Sequence, residues 1–137
     1  MRKIQVAIVV LMIFSFLAVI RAIYGAWTEE ILLKDQFIPT SVNGMATSTA
    51  LAVGFAATSL TLGFSNKFFS GEGDIFVMFM LLLIAVSSVV SLSDSYHQLA
   101  LGELQTSFRY AMTGFHFAVL MLFDGLLFLL YSATRIY

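Results

Sequence analysis

Met112–Tyr131, MTGFHFAVLMLFDGLLFLLY, is the stretch that decides the fold. A helix needs about 20 mostly apolar residues to cross a bilayer, and this run supplies them. Asp124 lies inside it, and His116 precedes Asp124 by roughly two helical turns. A carboxylate at that depth costs roughly 2.5–3.5 kcal/mol on insertion scales, so Asp124 is expected to face protein or a water-filled cavity.

The rest of the chain agrees with a membrane setting. Its 137 residues are 60% hydrophobic and 11% charged, whereas soluble domains carry about 25% charged residues. The net charge of −1 offers no basic surface, so nucleic acid is not an expected partner. The sequence has no cysteine, which excludes disulfides, thiolate metal sites and cysteine catalysis. Nothing reads as a glycine-rich phosphate loop or a nucleophilic triad, and no internal repeat or low-complexity stretch is visible.

Four segments are long and apolar enough to span: Ile4–Ile23, about Met45–Phe64, Ile75–Leu92 with a polar extension to His97, and about Phe108–Tyr131. The expected architecture is an all-α, integral membrane four-helix transmembrane bundle with short loops, one domain over residues 1–137. The first segment follows a basic Met1-Arg2-Lys3 start, as a secretory signal would. Its apolar stretch exceeds the roughly 7–15 residues of a signal core, so it reads as a retained first helix. Between the first two spans, the run EEILLKDQFIP mixes charge with Ile31, Leu32, Leu33 and Phe37, which suggests a short interfacial amphipathic helix. GEGD (Gly71–Asp74) reads as a tight turn.

An even number of spans puts both termini on one side. That side holds Arg2, Lys3, Lys67 and Arg135, and the other holds Arg21, Lys34 and Arg109. The basic flank of the first helix favours the cytoplasm for both termini. Tyr24, Trp27, Tyr96 and Tyr110 then form an outer aromatic belt, with Tyr131 and Tyr137 on the inner side.

The second span is rich in small residues. Ala46, Ala50, Gly54 and Thr58 recur every fourth position, a stripe that lets helix backbones approach closely in lipid. Packing inside the bundle is the simplest reading, and docking of another subunit is the sharper one.

In this topology, Thr58, Ser59 and Thr61 of the second span share the depth of Asp124, and no Lys or Arg of the chain lies there. Asp124 is therefore expected to be protonated against Thr58 or Ser59, to pair with a cation of another subunit, or to serve a proton or ion path. His116 and Asp124 are roughly 12 Å apart along the helix and about 80° apart around it, so they cannot bond directly. Ser87 and Ser88 are the expected neighbours of His116.

Asp94 and His97 are spaced to share a helix face. With His116 they form a candidate metal set, since carboxylate and imidazole suit zinc, copper or iron. A solvated helix end is the simpler reading of Asp94 and His97. Axial haem ligation by His97 and His116 is set aside because the two lie at different depths. No cofactor of the chain's own is expected beyond that candidate copper or other metal.

Parts of the chain resemble two known families. Ser87–Gly102, SSVVSLSDSYHQLALG, resembles the third-to-fourth helix region of cytochrome c oxidase subunit III, with its serine pair, a histidine near the helix end and a glycine in the turn. Thr113–His116, TGFH, is similar to a later helix motif of the same family. Asp94, His97, Gln98, Thr106–Phe108 and His116 are similar in kind to the copper-ligand segment of the C subunit of membrane copper monooxygenases.

The resemblances imply a small subunit of a large membrane redox enzyme, with other membrane subunits and lipid as its partners. The expected role is a non-catalytic accessory subunit of a respiratory or oxidase-type complex. The alternatives are a homo-oligomeric proton or ion pathway centred on Asp124, and a copper monooxygenase-type subunit using Asp94, His97 and His116.

Overall fold

A computed structural model describes residues 2–65 and 71–135. Lys67 and Tyr137, assigned above to the inner side, lie outside the described residues. The described chain is mostly helical, with four long helices: α1 Lys3–Thr28, α2 Ile38–Ser65, α3 Glu72–Ala100 and α4 Leu104–Thr134. Each is long and apolar enough to cross a membrane.

Every helix outruns the apolar segment that revealed it, because hydrogen-bonded turns continue into polar sequence at both ends. α4 begins at Leu104 rather than near Phe108, and α2 begins at Ile38 rather than Met45. Pro39 sits in the first turn of α2, where a missing backbone N–H costs nothing. The expected interfacial helix between α1 and α2 is not formed. Residues 29–34 are irregular, Leu32 is 89% exposed, and only a 3-10 turn over Asp35–Phe37 precedes α2.

GEGD is likewise not a free turn. Gly71 caps α3 and Glu72–Asp74 form its first turn, with the Asp74 carboxylate accepting the Gly71 backbone N–H at 3.1 Å. The α3–α4 link is only Leu101–Glu103, shorter than the apolar boundaries implied. Gly102 makes it possible with φ of +79°, and Glu103 N–H closes the turn onto the Gln98 carbonyl at 3.0 Å.

The four helices do not form a closed square. α4 is the hub and packs against α3, α2 and α1, while α2 and α3 touch only slightly. α1 is held essentially through α4. α4 carries two inward faces for this reason. One is the row Ser107, Ala111, Gly114, Ala118, Met121, Gly125, Phe128 and Ser132, all buried. Its steps alternate between four and three residues, the spacing of a coiled-coil seam. The other holds Thr113, Leu120 and Asp124, also buried.

Small and hydroxyl side chains dominate the α3–α4 seam. Ser95 and Ser107 exchange hydrogen bonds, each hydroxyl donating to the other's backbone carbonyl at 2.7 Å. Ser88 Oγ donates to the Gly114 carbonyl at 2.8 Å. Apolar packing completes the interior, with Ala56, Leu60, Leu81, Ala85, Met121 and Phe128 in one cluster and Ile38, Val42 and Ala111 in another.

Arginines fasten both ends of α4. Arg109 Nη1 donates to the carbonyls of Ala26 at 2.6 Å and Glu29 at 3.0 Å, satisfying the open C-terminus of α1. Arg135 pairs with the buried Asp74 at 2.6 Å and ties the end of α4 to the start of α3. Arg2 donates to the Thr134 carbonyl, so the two ends of the described chain meet at one end of the bundle. α1 and α3 thus run parallel to each other and antiparallel to α4.

Candidate functional site

Asp124 is buried, with 6% of its surface exposed, as the insertion cost required. Its partner is not Thr58 or Ser59 of α2. Thr58 and Thr61 turn their hydroxyls to carbonyls of their own helix, Gly54 and Ala57, and both are exposed. The donor is Ser15 of α1, whose Oγ lies 2.5 Å from Asp124 Oδ1. Ser15 is the only polar side chain between Val6 and Ile20. A lone hydroxyl in an otherwise apolar span is the signal for this pairing in the sequence.

Asp124 also lines a trough of about 500 Å³ between α1 and α3. Val9, Met12, Ile13 and Phe16 of α1 form one wall, and Gly73, Val77, Met80, Leu81 and Ile84 of α3 form the other. Asp124, Phe128 and Tyr131 of α4 make the floor. Asp124 is the one carboxylate of this lining, and the Tyr131 phenol is its other polar side chain.

His116 is half-buried and faces away from α3. Ser88, its expected neighbour, is committed to Gly114, and Ser87 is exposed and bonds its own helix at Leu83. His116 Nδ1 donates to the Met112 carbonyl at 2.6 Å. A carbonyl only accepts, so in the neutral ring Nε2 is left as the acceptor. The ring lines a second cavity, of about 670 Å³, between α1, α4 and the residue 29–34 segment. Arg21, Glu29 and Glu30 share that cavity, and Arg21 stands 3.9 Å from Glu29 in an exposed pair.

The candidate metal set is not assembled. Asp94 and His97 lie exposed on the outer face of α3, whereas His116 opens toward α1 across α4. Among the described residues no group of three or more His, Cys, Asp or Glu is placed to hold a metal ion. Spacing on one helix brought Asp94 and His97 together, but nothing in the sequence carries His116 around α4 to meet them.

The small stripe of α2 is only partly in the seam. Ala46 is buried, whereas Ala50, Gly54 and Thr58 are exposed, and a Cβ at Gly54 would meet nothing within 4 Å. Each fourth-residue step advances roughly 40° around the helix, so the stripe turns about 120° from Ala46 to Thr58. The face that packs is Val42, Ala46, Thr49, Ala56, Leu60 and Gly63. The close approach expected at Gly54 occurs at Gly114, where an added Cβ would stand 2.9 Å from the Ser88 carbonyl oxygen.

Trp27, Tyr96 and Tyr110 lie toward the end of the bundle where α1 and α3 finish and α4 begins. Trp27 meets Tyr110 edge-on with ring centres 4.8 Å apart, and its Nε1 donates to Thr113 at 2.8 Å. Tyr96 donates to Asn43 Oδ1 at 2.8 Å, joining the end of α3 to the start of α2. At the other end Arg135 lies 5.5 Å from the Tyr131 ring.

No family model matches the chain, and neither a curated protein nor a solved structure matches it.

Proposed function

We propose that this chain is an integral membrane protein serving as a small accessory subunit, without catalytic chemistry of its own, in a multisubunit membrane complex. The observation that carries this reading is the open architecture around α4. α1 is fastened to the bundle essentially through α4, and the side between α1 and α3 stands open with a carboxylate on its floor. A carboxylate bordering a sideways opening suits a protein partner better than lipid tails, which offer it no hydrogen bond. The resemblance of Ser87–Gly102 to an oxidase subunit favours a respiratory or oxidase-type complex. In this reading other membrane subunits and lipid cover the exposed faces, and both termini lie in the cytoplasm.

A second reading, a homo-oligomeric proton pathway, rests on Asp124 itself. Isolation of the tagged chain from its native membranes in mild detergent separates the two by native mass. The subunit reading expects a fixed set of other membrane polypeptides at constant stoichiometry. A ring of this chain alone that conducts protons in vesicles would replace it with the second reading, and a lone monomer would sink both.

A further inference from the structure

We propose that the trough between α1 and α3 is the seat of a transmembrane helix from a partner chain, and that this helix presents a lysine or arginine to Asp124. The proposal rests on the subunit reading and adds the chemistry of the partner. The walls argue for a helix. Val9, Ile13 and Phe16 on α1, and Val77, Met80 and Ile84 on α3, are each spaced by four and three residues. Such rows on two parallel helices form the holes into which a third helix inserts its side chains. Ile13, Phe16 and Met80 are among the large apolar side chains left exposed by this chain alone.

The floor argues for a base. Asp124 is nine-tenths buried, and Ser15 is its hydrogen-bonding partner through one oxygen. An ionised carboxylate accepts at both oxygens, so Oδ2 remains for a donor arriving from the trough. Among the described residues, no lysine or arginine lines the trough. Arg2 bonds Thr134, Arg109 caps α1, and Arg135 holds Asp74. Intramembrane charges pair with one another or with backbone groups, and a basic side chain satisfies both the charge and the open acceptor.

The test reconstitutes the full chain, donor-labelled, in phosphatidylcholine vesicles with acceptor-labelled synthetic Leu/Ala helices of about 20 residues. One peptide carries a central lysine and the other a leucine at that place. Energy transfer should report at least about tenfold tighter association of the lysine peptide, a differential affinity of roughly 1.4 kcal/mol. Asp124→Asn should abolish the preference while keeping the shape of the floor. Val77→Trp should block both peptides by filling the trough, with Asp124 untouched. Asp124→Lys should transfer the preference to a peptide with a central glutamate.

Equal binding of the two peptides, no binding, or a preference that survives Asp124→Asn overturns the proposal. So does transfer between two copies of this chain that Val77→Trp removes, because the occupant would then be a second copy. If the native complex assembles normally with Asp124→Asn and with Val77→Trp, the seat is wrong and the subunit reading stands. If no native complex exists, the subunit reading itself has failed.

Discussion

Gly114→Ala should destabilise the bundle although it adds only one methyl group. The new Cβ would stand 2.9 Å from the Ser88 carbonyl oxygen, 3.4 Å from the Leu92 backbone nitrogen and 3.5 Å from the Ser91 Cβ. Carbon–oxygen contacts between helices normally lie at about 3.3–3.6 Å, so α3 would have to retreat by roughly 0.5 Å. Backbone is on the receiving side, so no flexible side chain can absorb the shift. Overpacking of this kind costs about 1–3 kcal/mol. The retreat also strains the Ser88–Gly114 hydrogen bond, worth about 0.6 kcal/mol on the average for membrane helices. Against this, alanine gains about 0.5–1 kcal/mol of helix propensity over glycine. The net expectation is a loss of roughly 1–2 kcal/mol.

Gly54→Ala is the matched control, because its Cβ meets nothing within 4 Å. It should be neutral or stabilise by up to about 1 kcal/mol. Equilibrium unfolding in mixed micelles titrated with a denaturing detergent gives both values on one scale. If Gly114→Ala unfolds at the same point as Gly54→Ala, the close α3–α4 contact is not what holds these helices, and the reasoning fails.

Four further outcomes are expected. Arg135→Gln should destabilise the bundle by about 1–3 kcal/mol in the same titration, because it leaves the buried Asp74 carboxylate short of a partner. Arg21→Gln, which removes an exposed pair at 3.9 Å, should leave the unfolding midpoint unchanged. A double-mutant cycle on Ser95→Ala and Ser107→Ala should return a coupling of about 0.6 kcal/mol, up to roughly 1.7; additive single substitutions would show that the reciprocal bonds add nothing over lipid-embedded alternatives. Cysteines placed singly at positions 3, 67 and 135 should label from one common side of the membrane, and labelling of 67 from the side opposite 3 would break the four-span topology.

Hydropathy alone located all four long helices, each long and apolar enough to cross a membrane, since crossing a bilayer demands length and apolarity whatever the helix packs against. Insertion cost alone required Asp124 to be buried, and it is. The boundaries were legible only to within a turn or more. Polar residues such as Gln105, Thr106 and Ser107 belong to α4 through backbone hydrogen bonding, which hydropathy does not weigh. Around each helix the sequence was nearly silent. Lipid tails are as apolar as leucine, so a face turned to lipid and a face turned to protein read alike. Small residues at fourth positions therefore pointed to Gly54, while the contact that needs glycine is at Gly114. Only the tertiary arrangement, with α4 as hub, decided that Ser15 rather than Thr58 or Ser59 meets Asp124, and that His116 turns away from Asp94 and His97. The physical reason is that depth follows from the residue count, at about 1.5 Å of rise each, whereas azimuth is settled by which neighbour packs most closely.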